Sequence, residues 1–231
     1  MSNIVAVSPI ENFEISQTGE MLVISADTDI HQVKTMWKSL EKKCTGAIYQ
    51  NFDWIRIAYE TLERSHQPLI IHGNIGSGRT FIIPLVVVDG IFKTVRWPGG
   101  KHANICCGIY SRSFLENVDE KIMKQIISFI SKEVSGTALL QLYSQPKKIG
   151  QFRNPMLLLP NQDSQNILFE ISLEQGLDGV LNAGNGKRKR QLFRKQSRVA
   201  EELGGFELVS PETPAEIKAA LELFYLSLIH I

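Results

Sequence analysis

The sequence contains no long apolar run. Its longest unbroken apolar stretch is Phe81–Val88, which has eight residues and includes Pro84. A membrane-spanning helix needs about 20 apolar residues, so the sequence predicts no membrane span. The first residues, MSNIV, also lack the basic segment, the apolar run and the small-residue cleavage site of a secretory signal peptide. We therefore expect neither a membrane segment nor a signal peptide.

Cysteine and histidine are scarce, with three and five residues respectively. An odd cysteine count without a signal peptide indicates a reducing compartment, so we expect a cytoplasmic protein. Cys106 and Cys107 are adjacent, but two thiols alone make a poor zinc site, and no second cysteine pair or ligand-spaced histidine pair accompanies them. We predict two buried thiols and no metal site. Among the histidines only His102, in an irregular segment beside Lys101 and Asn104, is a candidate site residue.

Length and composition are typical of a globular protein. The chain has 231 residues, of which 43% are hydrophobic and 21% are charged. This is enough to bury a core, either as one large domain or as two small ones. The same composition excludes the disordered, collagen-like and coiled-coil classes.

Acidic residues are missing from one segment. Residues 187–198 contain seven lysines and arginines and no acid, whereas the rest of the chain carries 18 positive and 24 negative side chains. Three interpretations are open. The segment is a solvated helix face, a nucleic-acid-binding or nuclear-targeting helix that neutralises phosphates, or an anion-binding helix at a domain junction. Phe193 is its only aromatic residue, and this together with the acidic remainder of the chain weakens the nucleic-acid interpretation.

The apolar periodicity predicts an α+β domain over about 1–145 with the order β-α-α-β-β-β-α-β. Strands are predicted at 21–25, 69–75, 80–88, 91–97 and 137–143, and helices at 28–43, from Asn51 to Pro68, and at 118–134. Asp27 is the expected N-cap of the first helix. Farther along, the pattern predicts a strand at 167–172, helices at 173–182 and 187–203, a strand at 206–209 and a helix from Pro214. The last strand and helix repeat the opening of the first domain, so we interpret them as the start of a second copy.

Residues 73–80, GNIGSGRT, nearly match the phosphate-binding pattern G-x-x-x-x-G-K-[ST]. That motif binds phosphates because the glycine-rich loop opens directly into a helix. Here β-branched residues and Pro84 follow, and these are typical of a strand. A glycine-containing hairpin turn is the expected structure, and we predict no nucleotide site.

Three stretches, taken in order, indicate a known family. The first combines WKSL at 37–40 with YQNFDW at 49–54, the second combines FIIPL at 81–85 with WPG at 97–99, and the third is KRKRQLFRKQSR at 187–198 followed by ELG at 202–204. Over roughly 20–225 their order and spacing resemble the cellulose-biosynthesis-type (CelD-like) acyltransferases of the GNAT superfamily. The matching family features are the W-x-x-L and F-x-x-x-W helices, the strand ending in PL, and the K-x-R-x-x-x-R-R helix that leads to LE-x-x-G.

The resemblance implies two GNAT-like folds in tandem, with the acyl-CoA site in the second. On this basis 1–165 is an N-terminal GNAT-like domain without a cofactor loop, and 166–204 contains a connector strand and the basic helix. Residues 205–225 are then the first strand and helix of a truncated C-terminal domain. The last six residues, 226–231, match the translated end of a common sequencing transposon, so we expect an adapter-derived tail there.

The superfamily binds the cofactor pyrophosphate on a loop of pattern [RQ]-x-x-G-x-[GA] between its fourth strand and the next helix. The corresponding loop here is Arg96–Lys101, in which Lys101 replaces the last small residue. The predicted helix begins too late for its N-terminus to contact a phosphate. The first domain is therefore expected not to bind the cofactor.

The implied function is that of the N-terminal part of an N-acyltransferase in envelope polysaccharide metabolism. Such an enzyme moves an acyl group from acetyl-CoA or another acyl-CoA to an amine on a small molecule or sugar. The missing C-terminal part would hold the acyl-CoA and the general base, so no catalytic residue is named and the fragment alone is expected to be inactive.

The candidate substrate-binding residues are Lys187, Arg190, Arg194 and His102. Arg190 and Arg194 lie four residues apart, on one helical face, where both guanidinium groups can reach one anion. The alternative function is a non-catalytic nucleic-acid-binding module that uses the helix at 187–198.

Overall fold

The chain divides into two compact units, Met1–Gln165 (unit 1) and Asn166–Ile231 (unit 2). The computed structural model describes residues 11–15, 20–44, 47–62, 65–76, 78–134, 136–164, 168–169, 171–182, 185–205, 207 and 209–229.

Unit 1 is built from strands and four α-helices among its described residues. The strands are β1 (Glu11–Ile15), β2 (Glu20–Asp27), β3 (His66–Ile75), β4 (Arg79–Val88), β5 (Lys93–Arg96), β6 (Ile109–Tyr110), β7 (Thr137–Gln141), β8 (Lys148–Ile149) and β9 (Phe152–Arg153). The helices are α1 (Lys34–Glu41), α2 (Phe52–Glu60), α3 (Arg112–Asn117) and α4 (Glu120–Glu133). Short 3-10 helices lie at Ile30–Val33, Ile48–Gln50, Gly100–His102 and Pro155–Leu158.

Seven of these strands form one mixed sheet. Its order is β1-β2-β3-β4-β5-β7, and β6 also pairs with β4. Neighbouring strands are antiparallel from β1 to β5, whereas β5 and β7 are parallel. Parallel neighbours require a crossover connection, and this one contains α4. The expected α+β class with a mixed sheet is therefore confirmed.

Strand β4 is buried on both faces because helices cover both sides of the sheet. Its odd-numbered residues from Phe81 to Val87 belong to the core that contains α4, and its even-numbered Ile82 and Val86 belong to the core that contains α1 and α2. This three-layer arrangement explains the unbroken apolar run in the sequence. Pro84 lies between the residues of β4 that pair with β6 and those that pair with β5.

The segment that resembles a phosphate-binding loop is a hairpin, as predicted. Gly73 lies within β3, and Ile75 pairs with Arg79 across the turn. A Cβ atom on Gly73 would lie 2.2 Å from the backbone oxygen of Val23 on β2, so this position needs glycine for packing of the strands. The chain continues from the turn into β4 rather than into a helix.

The first helix begins later than predicted. Asp27 is not its N-cap, because β2 continues to this residue and pairs Asp27 with Ile70 of β3. The cap is Asp29, whose Oδ1 accepts a hydrogen bond from the backbone nitrogen of His31 (2.9 Å). A 3-10 turn then precedes α1, which starts at Lys34.

Unit 2 contains three α-helices among its described residues, α5 (Gly176–Asn182), α6 (Gly186–Glu202) and α7 (Pro214–Ile229). The strand predicted at 167–172 is wrong for the described residues 168, 169, 171 and 172, which form no strand. Leu168 and Phe169 are exposed there, and a strand is stable only when it pairs with a neighbour. The strand predicted at 206–209 is also wrong at 207 and 209, while 206 and 208 lie outside the described residues.

The helices of unit 2 carry many exposed apolar side chains. The exposed large ones on α5, α6 and α7 are Leu177, Leu192, Phe193, Val199, Ile217, Leu221, Leu223, Phe224, Tyr225, Leu226 and Leu228. Among the described residues of unit 2, no large hydrophobic side chain is buried. The buried core that the structure describes therefore belongs to unit 1.

Candidate functional site

The loop after β5 is closely packed against α2. Gly99 has φ = 86°, and a Cβ atom there would lie 2.1 Å from Cη2 of the Trp54 indole, so the position needs glycine for both reasons. Trp97 is buried beside it. The cavity that Trp97 lines with its neighbours has a volume of about 10 Å³, enough for one water molecule at most.

No α-helix begins within residues 97–111, all of which the structure describes. The short 3-10 helix at Gly100–His102 is followed by irregular chain and by β6. The long helix α4 starts only at Glu120, where Asp119 caps it by accepting a hydrogen bond from the backbone nitrogen of Ile122 (2.8 Å). This loop therefore presents no α-helical N-terminus to a phosphate group.

Gln50 connects the helical layer to the chain that follows this loop. Its Nε2 donates to the Ile105 oxygen (2.9 Å), and its Oε1 accepts from the Ala47 nitrogen (3.0 Å). The backbone oxygen of Gln50 accepts from Nε1 of Trp37 (2.9 Å), which lies on α1. Gln50 is only 3% exposed, and its bond with Trp37 is buried, whereas its bonds with Ala47 and Ile105 are part-buried.

His102 lies exposed at the end of the 3-10 helix, and its backbone nitrogen donates to the Gly99 oxygen (2.9 Å). Its imidazole has no hydrogen-bond or ionic partner among the described residues. The structure pairs a different histidine, which the sequence analysis did not select. His72 Nε2 lies 2.7 Å from Asp27 Oδ2, and both side chains are half-buried.

The remaining candidate residues lie on α6, and most of this helix is exposed. Lys187 and Arg194 are exposed, and Arg190 is half-buried. Nη1 of Arg190 donates a hydrogen bond to Oδ1 of Asn182, the last residue of α5. Gly186 permits this approach of α5 and α6, since a Cβ atom on it would lie 2.6 Å from the Leu181 oxygen.

Four of the seven cations of α6 form a stripe along one face. Lys187, Arg190, Arg194 and Arg198 are spaced three, four and four residues apart, which places them on the same side of a helix. None of these four forms an ion pair with an acidic side chain in the described part of the chain. The stripe is therefore available to an external anion, although Arg190 already bonds Asn182.

A cleft of about 340 Å³ opens elsewhere in unit 1. It lies where the end of α1, β6, the start of α3 and the β8–β9 hairpin meet, and its lining residues are Lys43, Cys44, Tyr110, Arg112, Leu115, Ile149, Gln151 and Phe152. The volume lies within the usual range for small-molecule sites, roughly 300–1,000 Å³. The sequence analysis did not group these residues, which come from three separate parts of the chain, 43–44, 110–115 and 149–152.

The three cysteines differ in their exposure. Cys44, in the wall of the cleft, is half-buried, and its Sγ donates to the Tyr110 oxygen (2.6 Å). Burial raises the pKa of Cys44, while the nearby Lys43 charge opposes this shift. Cys106 and Cys107 are buried and unpaired, as predicted, and burial raises the pKa of each thiol to about 12. Neither of the two is therefore a reactive thiolate at neutral pH.

Two further features are absent from the described residues. No group of three or more His, Cys, Asp and Glu side chains is placed to hold a metal ion. No helix in that part of the chain is both long and apolar enough to cross a membrane.

Comparisons with protein-family models, curated proteins and solved structures find no match to this chain.

Proposed function

We propose that this chain is the N-terminal part of an acyl-CoA-dependent N-acyltransferase of the GNAT type, similar to the CelD-like enzymes. The observation that carries the proposal is the arrangement of β5, α4 and β7. In a sheet that is otherwise antiparallel, α4 connects two parallel neighbours. The elements from β2 to β7 follow the order β-α-α-β-β-β-β-α-α-β, which is the predicted β-α-α-β-β-β-α-β order with β6 and α3 inserted before α4.

In this proposal unit 1 does not hold the cofactor. The loop after β5 is packed against the Trp54 ring, and α4 begins more than twenty residues beyond Gly99, so neither space nor a helix N-terminus is present for a pyrophosphate. The acyl-CoA site then belongs to a second GNAT-like copy. The exposed apolar side chains of α7 are consistent with a helix that packs against further structure of that kind.

The reaction would be direct attack of an amine on the acyl-CoA thioester. The amine nitrogen forms the new amide bond, the carbon–sulfur bond breaks, and the products are the amide and the thiol of CoA. Positioning of the two substrates and removal of the amine proton by a general base supply the catalysis. The acceptor would be an amine on a small molecule or sugar in envelope polysaccharide metabolism, in the cytoplasm, with Lys187, Arg190 and Arg194 binding an anionic group of that acceptor.

Calorimetry with acetyl-CoA tests this proposal. The 231-residue chain should give no binding heat, whereas the longer protein that the proposal implies should bind acetyl-CoA and release free CoA in the presence of a suitable amine. Micromolar binding of acetyl-CoA by the 231-residue chain would show that unit 1 contains a cofactor site after all. Failure of the longer protein to bind any acyl-CoA would contradict the acyltransferase assignment itself.

The second candidate function is nucleic-acid binding, and the cationic stripe on α6 is the observation that favours it. Lysines and arginines without acidic partners can neutralise phosphates, and the affinity then falls steeply with salt. Four contacts would give a slope of about −3 to −4 in a plot of log K against log salt concentration. A fluorescence-anisotropy titration of duplex DNA at several salt concentrations distinguishes the two functions, because the acyltransferase proposal expects no binding at physiological salt.

A further inference from the structure

The cleft of about 340 Å³ is in unit 1, and none of its lining residues belongs to the loop after β5. It is lined by residues that follow α1, by β6, by α3 and by the β8–β9 hairpin, all within unit 1. At about 30 Å³ per water molecule, the volume has room for about eleven waters, or for a ligand of about ten non-hydrogen atoms. Three separate segments of the chain thus build a concave site.

The charged groups that line this cleft are all cationic. Lys43 and Arg112 are its two charged lining residues, and no carboxylate lines it. Lys43 has no ion-pair partner among the described residues. Arg112 uses only Nε in its bond to Glu116 Oε1 (2.8 Å), so its two Nη groups remain as donors for a ligand.

The rest of the lining is mostly apolar, apart from the exposed Gln151 and the hydrogen-bonded pair of Cys44 and Tyr110. Leu115, Ile149 and Phe152 contribute hydrocarbon surface, and the Phe152 ring lies 5.9 Å from the Arg112 guanidinium carbon. The Cys44 thiol and the Tyr110 carbonyl bond each other, so neither needs a polar partner from a ligand. An apolar wall beside two cations is suited to an apolar body that carries an anionic group.

We infer that this cleft is a binding site for a small organic anion, namely an aryl or alkyl group carrying a phosphate or carboxylate. Lys43 and the Nη groups of Arg112 contact the anion, and Phe152, Leu115 and Ile149 contact the apolar body. None of the lining residues is among those that the proposed function assigns to the acceptor.

Cys44 provides a direct readout of occupancy. It is the half-buried cysteine in the cleft wall, whereas the other two cysteines are buried elsewhere. The probe is phenyl phosphate, with phenol and benzylamine as the neutral and cationic analogues. Alkylation of Cys44 by iodoacetamide is followed by peptide mass spectrometry at increasing probe concentration, and the dissociation constant is taken from the concentration dependence of protection.

Phenyl phosphate should protect Cys44 at lower concentration than phenol or benzylamine does. Lys43→Gln should weaken the phenyl phosphate dissociation constant roughly tenfold, since it removes one charged contact. Lys42→Gln, at the exposed neighbouring residue outside the cleft, is the matched control and should leave the constant unchanged.

Arg112→Gln should also weaken binding roughly tenfold. Its control is Arg56→Gln, because Arg56 forms the same i, i+4 ion pair with Glu60 on α2 but does not line the cleft. Equal protection by all three probes would show a merely apolar cleft, and absence of protection by phenyl phosphate would show no site. Either result, or unchanged affinity in Lys43→Gln, would overturn the inference.

Discussion

Replacing Gln50 with alanine is expected to destabilise unit 1 by about 2–4 kcal/mol. The substitution removes the side-chain hydrogen bonds with Ala47 N and Ile105 O, which measure 3.0 and 2.9 Å. Each buried polar group that loses its partner costs about 1–3 kcal/mol. Both of these backbone groups are only part-buried, so we take the lower part of that range for each.

Thermal unfolding followed by tryptophan fluorescence measures this loss. All three tryptophans, Trp37, Trp54 and Trp97, lie in unit 1, so the signal reports on this unit alone. For a unit of this size, 1 kcal/mol shifts Tm by about 2–4 °C, so Gln50→Ala should lower Tm by roughly 5–15 °C. The matched control is Gln32→Ala, an exposed glutamine whose Nε2 makes one long bond to Asp29 (3.4 Å), and it should change stability by less than about 0.5 kcal/mol.

A Gln50→Ala protein that unfolds within about 0.5 kcal/mol of the control would refute the reasoning. It would show that the Gln50 amide is not what holds the chain after the β5 loop against the helical layer.

Two further predictions concern the charged helix and the thiols. In the longer protein, Arg190→Ala and Arg194→Ala should each lower kcat/KM roughly ten- to a hundredfold with Tm nearly unchanged, since each removes a contact to an anion but little folding energy. Steady-state kinetics and a thermal scan of each variant measure kcat/KM and Tm. If both variants keep full activity, α6 is only a solvated connector. At mildly alkaline pH, iodoacetamide should label Cys44 in the folded chain, whereas Cys106 and Cys107, with pKa values raised to about 12, should react only in urea. Peptide mass spectrometry shows this directly, and native labelling of either buried thiol would contradict the packing described around them.

Arg188→Ala is the matched control for the arginine pair. Arg188 belongs to the same basic segment but lies about 100° around the helix from Lys187, away from the stripe. If Arg188→Ala lowers activity as much as Arg190→Ala, the effect comes from the general charge of α6 rather than from a contact on one face.

The strands and helices of unit 1 were predictable where the local pattern is long. The apolar run of β4 extends over eight residues and the helical spacing of α4 over fourteen, and the structure places both near their predicted bounds. Strands β6, β8 and β9 have two residues each and leave no periodic signal. Strand β6 forms because the distant β4 supplies its hydrogen-bond partners, whereas β8 and β9 pair with each other in a hairpin too short to show a period.

In unit 2 the sequence predicted a strand at 167–172 where the described residues form none. The apolar residues around 167–172 have the composition of a strand, yet Leu168, Phe169 and Ile171 are exposed and unpaired. Strand propensity reflects how well a residue fits a half-buried sheet, so apolar composition alone does not make these described residues a strand. The helices of unit 2 were predicted more accurately than its strands, because a helix such as α6 makes its backbone hydrogen bonds internally. The predicted bounds of α6, 187–203, are close to the observed Gly186–Glu202.

The two candidate sites also differ in whether they could be predicted from the sequence. The stripe on α6 was predictable, since Arg190 and Arg194 are neighbours on a helix at a known spacing. The cleft was not, because Cys44 and Tyr110 are 66 residues apart and Phe152 lies on a two-residue strand. Tertiary contacts that join such distant residues cannot be read from one sequence alone.

The position of Pro84 in β4 has a consequence for aggregation. Six- or seven-residue segments of high β-propensity and low charge can stack into cross-β fibres when they are exposed, and the apolar run of β4 is the longest such candidate in this chain. Pro84 has no N–H group to donate to a stacked neighbour, so it interrupts the run when the chain is newly synthesised. In the native sheet the same proline costs little, because it lies at the interval where β4 changes partners. The residue thus protects the most hydrophobic strand before β5 and β6 have folded beside it.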